Sequence, residues 1–453
     1  MNLIQRISFL GTLAVASAAG LVASTIIPAM RPAKPMLLRG GTVVTVSGKV
    51  LPNTDVLLQD GLIAQIGPQL IAPAEAEIVS IEGKFVYPGL IAAATQLGLS
   101  EIAAVRATID VAETSAINPN IRAQVAINPD SELIPVARTN GVLTALSMPK
   151  ARGPGSGSEP SLITGNSVLL RLDGWTWEDM TLRPMAALHV EWPDLDIDHG
   201  PDARKSVTKQ QEEIDGRLRL LDDAFASARA YAKARQAKDT PTADIDLRWE
   251  AMLPVLRGER PIFVRAVTEQ QIRSALAWSR RQNLKITLMD ALEAWRVADE
   301  LHEADVPVIL GGTHALPLRR GDGYAVNFEA PAKLYAAGVR FAISPGFEGS
   351  SEDGNERNLP YQAAKAVAYG LPHDIGLRAI TLSAAELLGV GDELGSVEVG
   401  KRATLIVTDG DPLEIPTQIE MAFVDGASID LNNRQTTLAK KYGERLQRLE
   451  PAR

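Results

Sequence analysis

Tyr87-Pro88-Gly89-Leu90-Ile91-Ala92-Ala93-Ala94-Thr95-Gln96-Leu97-Gly98 is an uncharged run of small and apolar residues, entered by a Pro-Gly pair and left by a glycine. A strand buried on both faces reads as such a continuous apolar run, not as an alternation. Taking its core as Gly89–Gln96, seven more runs of strand length follow: Val142–Met148, Val168–Leu172, Met185–Val190, Ile262–Ala266, Lys285–Met289, Pro307–Leu310 and Arg340–Ser344. Helical patterns lie between several of them. Ile214, Leu218, Leu221, Phe225, Ala228 and Ala232 recur every three or four residues, which is one face of a long helix. Glu269–Gln282 and Leu292–Ala304 read as two more helices. Eight buried strands with crossover helices predict an α/β fold, a closed (β/α)8 TIM-like barrel over residues 87–395.

The flanks are written in another style. Between Met36 and Val86, short β-rich runs such as Thr42–Val46, Val56–Leu58 and Leu62–Ile66 are separated by turn signals, Asp60-Gly61 among them. Ala403–Val407 and Met421–Val424, followed by Asp425-Gly426, repeat the style at the far end. The economical arrangement is one β-sandwich built from both chain ends, residues 31–86 and 396–435, with a helix or tail over 436–453.

Composition narrows the class. The 453 residues are 45% apolar and 22% charged, ordinary values for a globular protein. Lys and Arg total 46 against 55 Asp and Glu, a formal net charge of −9, and the pI near 5.3 argues against nucleic acid as a partner. The absence of cysteine removes disulfides, thiolate metal sites and a Cys nucleophile together. Residues 1–30 stand apart: one positive charge at Arg6, an almost uncharged apolar run from Ile7 to Ala23, and small-x-small patterns at Ala16-Ser17-Ala18 and Val22-Ala23-Ser24. This predicts a signal peptide and export, to a bacterial periplasm, or a membrane anchor where the segment is not cleaved.

The run Tyr87–Gly98 resembles the first barrel strand of the amidohydrolase superfamily, where Pro-Gly-Leu-Ile is followed by Asp, a small residue and a His-x-His pair. Leu394-Gly395-Ser396-Val397-Glu398-Val399-Gly400-Lys401-Arg402-Ala403-Thr404-Leu405-Ile406-Val407 is similar to that superfamily's return into its β-sandwich. Asn128–Arg138 and Leu172–Met180 resemble an imidazolonepropionase-related branch. The resemblance extends from Met36 to Tyr442. It implies hydrolysis of non-peptide C–N bonds, cyclic amides among them, by one or two divalent metals, zinc or another, at the C-terminal mouth of the barrel. It also implies the ligands: two His from the first strand, a Lys or other group from the fourth, one His each from the fifth and sixth, and an Asp from the eighth. Such ligands hold a metal that lowers the pKa of a bound water and polarises the scissile carbonyl.

At those positions this chain carries other chemistry. The His-x-His positions are Ala94 and Gln96, the fifth strand has Arg265, the sixth ends at Met289-Asp290, and the eighth ends at Ile343-Ser344-Pro345. Alanine cannot ligate, and an arginine repels a divalent cation. No metal cofactor is therefore expected. His189, Glu191, Arg265, Asp290 and His314 are the candidates for the barrel mouth, with Arg265 expected to stand in for the metal between Asp290 and Glu191. Two His with carboxylates could in principle rebuild a zinc site. His199, His302 and His373 read as surface residues. Ser147-x-x-Lys150 and Ser206-x-x-Lys209 match a Ser–Lys nucleophile pattern, but two hits in unrelated contexts show how common it is. Arg152–Ser158 reads as a connector or lid at the mouth, and Trp175 and Trp177 as loop packing or a pocket floor. Catalytic residues are thus unassigned. Two functions stand: an exported pseudo-enzyme that keeps the scaffold for binding or pairing, and a hydrolase of non-peptide C–N bonds working through an atypical site. The partners are a small anionic or amide ligand, a second copy of the chain, or an intact member of the same family.

Overall fold

A computed structural model describes residues 26–102, 105–151, 160–236, 245–346 and 355–449. The signal-peptide reading rests on residues 1–25 and the glycine-loop reading on 152–159, both outside the described residues.

The chain opens with β1 (Met36–Val44), β2 (Val50–Gln59), β3 (Leu62–Gly67), β4 (Glu77–Ser80) and β5 (Phe85–Pro88). The barrel strands follow: β6 (Leu90–Thr95), β7 (Val142–Ser147), β8 (Ile163–Asn166), β9 (Val168–Arg171), β10 (Thr181–Arg183), β11 (Leu188–Glu191), β12 (Ile262–Arg265), β13 (Ile286–Met289), β14 (Val308–Gly311) and β15 (Phe341–Ser344). The chain then returns as β16 (Leu405–Thr408), β17 (Ile419–Val424) and β18 (Ala427–Ser428).

The two ends meet in one branched eight-stranded sheet, ordered β18-β17-β16-β5-β1-β2-β3 with β4 on β1. The join is the antiparallel pair of β5 and β16, and Leu62 bridges Arg402 at the other margin. Both Asp-Gly pairs are hairpin turns. Asp60 and Gly61 take φ of 52° and 81°, Asp425 and Gly426 take 47° and 76°, the double positive φ of a type I′ turn. The turns pack on each other, with Gly426 seated against the Cα of Gly61. One core, including Leu38, Val56, Ile63, Val86, Leu405 and Phe423, lies under strands from both ends.

In the barrel, β6 and β7 are parallel, and β11 through β15 form a continuous parallel ladder. The third position departs from the expected parallel strand. β8 pairs antiparallel with β11 and β9 antiparallel with β7, so Ile163–Arg171 runs downward between two upward strands, interrupted at Ser167. The reason lies in the connection. Parallel neighbours need a crossover, usually a helix, whereas antiparallel ones can be joined by a loop. The stretch from Met148 to Leu162 is rich in Gly, Pro and Ser and has no helical pattern. β6 and β15 close the ring side by side, where Ser344 Oγ donates to the Ala94 carbonyl at 3.0 Å.

The lumen is packed with Ile91, Ala93, Ala94, Leu146, Leu169, Phe263, Met289, Ile309 and Ala342. A Phe263→Ala change there would cost about 3–5 kcal/mol. Outside, the helix Glu269–Gln282 begins at a capping box between Thr268 and Gln271 and ends at Asn283 in the left-handed conformation. It buries Ile272, Ala275, Leu276 and Trp278. The Trp278 ring meets Phe225 edge-on at 5.1 Å, which fastens it to the long helix Val207–Arg235. The expected Leu292–Ala304 helix is shorter: a 3-10 turn over Ala294–Val297, then Ala298–Glu303.

Candidate functional site

The strand register assembles the mouth. Glu191 and Arg265 are register partners at the ends of β11 and β12, and Arg265 in turn pairs with Met289, the residue before Asp290. Adjacent positions in parallel strands point the same way, so Glu191 and Arg265 share one rim; Asp290, one residue past the partner of Arg265, joins them through a turn of its own backbone. Arg265 Nη2 and Nε donate to Asp290 Oδ2 at 2.7 and 2.9 Å, and Nη1 donates to Glu191 Oε2 at 3.4 Å. The Asp290 side chain is 1% exposed and that of Arg265 25%. Burial pushes the Arg265 guanidinium down, but the charges of Glu191 and Asp290 outweigh it and hold its proton more firmly than in a free arginine. It is a permanent cation clasped by two carboxylates.

Asp290 reaches this position from a backbone with φ of 53°, a left-handed conformation that Asp tolerates better than most residues. Space for its carboxylate comes from β14. A Cβ on Gly311 would stand 2.1 Å from Asp290 Oδ1, so only glycine fits there. The sequence carried this signal in Gly311-Gly312, but its reason is a neighbour twenty-one positions away.

His189 lies one layer below. It is 3% exposed, its ring meets Phe263 edge-on at 5.6 Å, and its Nε2 has no hydrogen-bond partner. Burial pushes its pKa down to about 3, so the imidazole is neutral. Gln96 Nε2 is also buried without a partner, and Ala94 belongs to the apolar lumen. His314 follows the end of β14 and is exposed. Its N–H donates to Gln362 Oε1 at 3.0 Å, and desolvation together with the Lys365 ammonium lowers its pKa. The five candidates therefore divide: Glu191, Arg265 and Asp290 form one cluster, His189 sits beneath it, and His314 does not join it.

A second ion network, not foreseen from the sequence, ties the rim together. Buried Glu293 follows β13. Its carboxylate accepts from Arg319 Nη2 at 2.7 Å and from the Glu269 N–H at 2.8 Å, and it pairs with Arg296 at 3.3 Å. Three βα connections are thereby linked. Arg296 is a local i,i+3 partner, but Arg319 and the Glu269 N–H come from separate loops, so the sequence does not mark the network.

Other sequence candidates take structural roles. Ser147 is buried and donates to the Leu97 carbonyl at 2.6 Å, and Ser206 caps the helix Val207–Arg235 by accepting from the Lys209 N–H. Ser147 is thus closed off from solvent, and the exposed Ser206 hydroxyl is engaged as a helix cap. Trp175 and Trp177 follow the descending β9 and so lie at the end of the barrel away from the mouth, where they floor no pocket at the cluster. His373 pairs with Asp411 at the surface, and His302 contacts the Gly338 carbonyl.

The donor set does not fit a divalent metal. Where the resemblance calls for imidazoles there are an apolar Ala94, Gln96 and a guanidinium, and Ser344 is occupied with the Ala94 carbonyl. Among the described residues, no three His, Asp or Glu side chains come together in a group able to hold a metal ion. A cation already lies between the two carboxylates of the mouth, and a second one beside it would be repelled.

Residues 319–434 match the model of the amidohydrolase family. The chain is 25% identical over 443 residues to the amidohydrolase tasK of Hapsidospora irregularis, an alignment covering 87% of this chain and 43% of that protein. A 56-residue stretch, 12% of the chain and 13% of the relative, is 43% identical to the dihydroorotase of Carboxydothermus hydrogenoformans. The chain thus spans less than half the length of the curated relatives it matches. Its fold is similar to that of a Thermotoga maritima amidohydrolase, with a TM-score of 0.74 and 23% identity over 87% of this chain and 99% of that one. The barrel, the shared terminal sheet, the match at its C-terminal return and the tasK relative together support the amidohydrolase superfamily for this chain.

Proposed function

We propose that this chain is an exported pseudo-enzyme of the superfamily, whose barrel mouth is closed by an internal ion cluster and which serves as a partner subunit of an intact family member. The observation that carries this reading is Arg265 between Asp290 and Glu191. A guanidinium satisfied by two carboxylates has little left to offer a ligand, which favours a structural plug over ligand capture. The aligned part of the amidohydrolase tasK is 43% of that protein, so more of it lies outside the alignment than inside. That leaves room in one relative for a further unit of comparable size beside the one this chain matches.

The competing reading, a working hydrolase of non-peptide C–N bonds, rests on the names of the relatives. Elemental analysis of protein purified without chelators separates the two. The proposal expects far less than one divalent metal per chain, an unchanged melting temperature with chelator, and no hydrolysis of cyclic amides above background with or without added zinc. A metal that binds only the native state would raise the melting temperature measurably. Stoichiometric zinc with chelator-sensitive stability would overturn the proposal.

A further inference from the structure

The helix Arg434–Leu449 buries none of its residues. Among the described residues, its hydrogen bonds to the body lie near its start. Asn433 caps it by accepting from the Thr436 N–H, and Asn433 Nδ2 donates to Thr139 Oγ1 at 2.6 Å. Beyond that point Leu438, Tyr442, Leu446 and Leu449 recur at intervals of four, four and three, which sets them in one stripe, and all four are exposed. Lys441, Arg445 and Arg448 flank the stripe on one side. The helix carries five basic residues and one acidic residue in a chain of net charge −9. An isolated helix of this length, with Gly443 inside it, is marginal in water. A stripe of this kind is stabilised only against a surface that accepts both leucine and positive charge.

The place where the helix leaves the body supplies a second observation. Thr139 is the last residue of the short helix Leu133–Thr139. Its neighbour Arg138 pairs with Asp173 at 2.6 Å, and Asp173 Oδ2 accepts from the Ala29 N–H at 3.0 Å. The last helix is therefore fastened to Thr139, and the first described residues reach its neighbour Arg138 through Asp173. Around them Ile27, Met30 and Trp175 are 72%, 88% and 64% exposed. In the sequence, the uncharged run Ile7–Ala23 ends just before this point. All of this lies at the end of the barrel opposite the Arg265 cluster.

We infer that this end of the molecule docks on the surface of an anionic phospholipid bilayer. Arg434–Leu449 lies in the headgroup plane with its Leu and Tyr stripe turned toward the acyl chains and its Lys and Arg among the headgroups, and Trp175 is placed where such rings favour an interface. The acidic body is repelled by the same surface, so attraction through the helix also sets the orientation, with the barrel mouth facing away.

Co-sedimentation of the full chain with vesicles tests this. Vesicles containing phosphatidylglycerol should bind the chain about tenfold or more tightly than phosphatidylcholine vesicles, and added salt should weaken the binding. Leu446→Glu with Leu449→Glu, and separately Lys441→Glu with Arg445→Glu, should each weaken it by about tenfold or more while leaving the melting temperature in place, since no side chain of the helix is buried. Three results would overturn the inference: no preference for anionic vesicles, binding indifferent to both double variants, which would assign attachment to another segment, or an effect of the variants on oligomeric state by size-exclusion chromatography instead of on vesicle binding.

Discussion

Arg265 commits two nitrogens, Nε and Nη2, to a single oxygen of Asp290, at 2.9 and 2.7 Å. Glu191, at 3.4 Å, takes the third nitrogen. The family mechanism implied by the resemblance needs a cation at the end of these strands, and here the cation is covalently part of the chain. A guanidinium is not a Lewis acid, so it does not lower the pKa of a neighbouring water as a bound metal does.

Removing that cation leaves two carboxylates facing each other in a poorly hydrated site. Arg265→Ala should lower stability by about 3–5 kcal/mol, seen as a clear fall in the denaturation midpoint. Replacing all three members by leucine or methionine should recover much of the loss, because the penalty comes from the unpaired charges. Arg265→His with added zinc should show no hydrolysis, since Ala94 and Gln96 still supply no imidazole. A melting curve unchanged in Arg265→Ala would remove this account of the mouth.

Gly311 gives an independent test of the same packing. The Cβ of Gly311→Ala would lie 2.1 Å from Asp290 Oδ1 and must displace it. The expected cost is about 1–3 kcal/mol, as for overpacking elsewhere. Gly321→Ala, which meets nothing within 4 Å, serves as the control and should be near neutral. Equal midpoints for the two variants would mean that Asp290 is not held where the structure has it.

His189 makes stability depend on pH in a defined window. Its pKa is pushed down to about 3 in the folded chain, against an ordinary 6.5 when unfolded. Between these values the unfolded state binds a proton that the native state refuses, so stability falls as pH drops below the unfolded value and the loss ends near the folded one. The slope from this one group approaches about 1.4 kcal/mol per pH unit. In His189→Phe, denaturant titrations at pH 6 and pH 4 should show a smaller difference than in the parent chain. An identical difference would place the imidazole in contact with water.

Export is checked at the N-terminus. The small-x-small patterns at Ala16-Ser17-Ala18 and Val22-Ala23-Ser24 predict a mature chain lacking about its first 25 residues. N-terminal sequencing of protein from a periplasmic fraction should find that start. Met1 retained in a cytoplasmic fraction would refute it.

Barrel strands could be recognised from sequence because burial on both faces leaves a local record, the apolar run, and the terminal sheet because its Asp-Gly turns sit between short β-rich segments. The order of the strands then brought Glu191, Arg265 and Asp290 into reach of one another, since residues at the ends of neighbouring parallel strands share a rim. The sequence also showed, at Ala94, Gln96 and Arg265, that imidazoles are missing, for ligand chemistry is a property of the residue type. Strand direction was another matter. Ile163–Arg171 is apolar whichever way it runs, and only its pairing with β7 and β11 made it antiparallel and carried Trp175 and Trp177 to the far end. His314 also follows a barrel strand, but its backbone N–H is taken by Gln362 and the Lys365 ammonium disfavours its protonated form, neither of which the sequence shows. Glu293 gathers Arg296, Arg319 and the Glu269 N–H from separate loops, and Gly311 yields its space to Asp290. Periodicity records which face of an element is buried. Which side chains then meet is set by loop closure and long-range pairing, and those are properties of the folded chain alone.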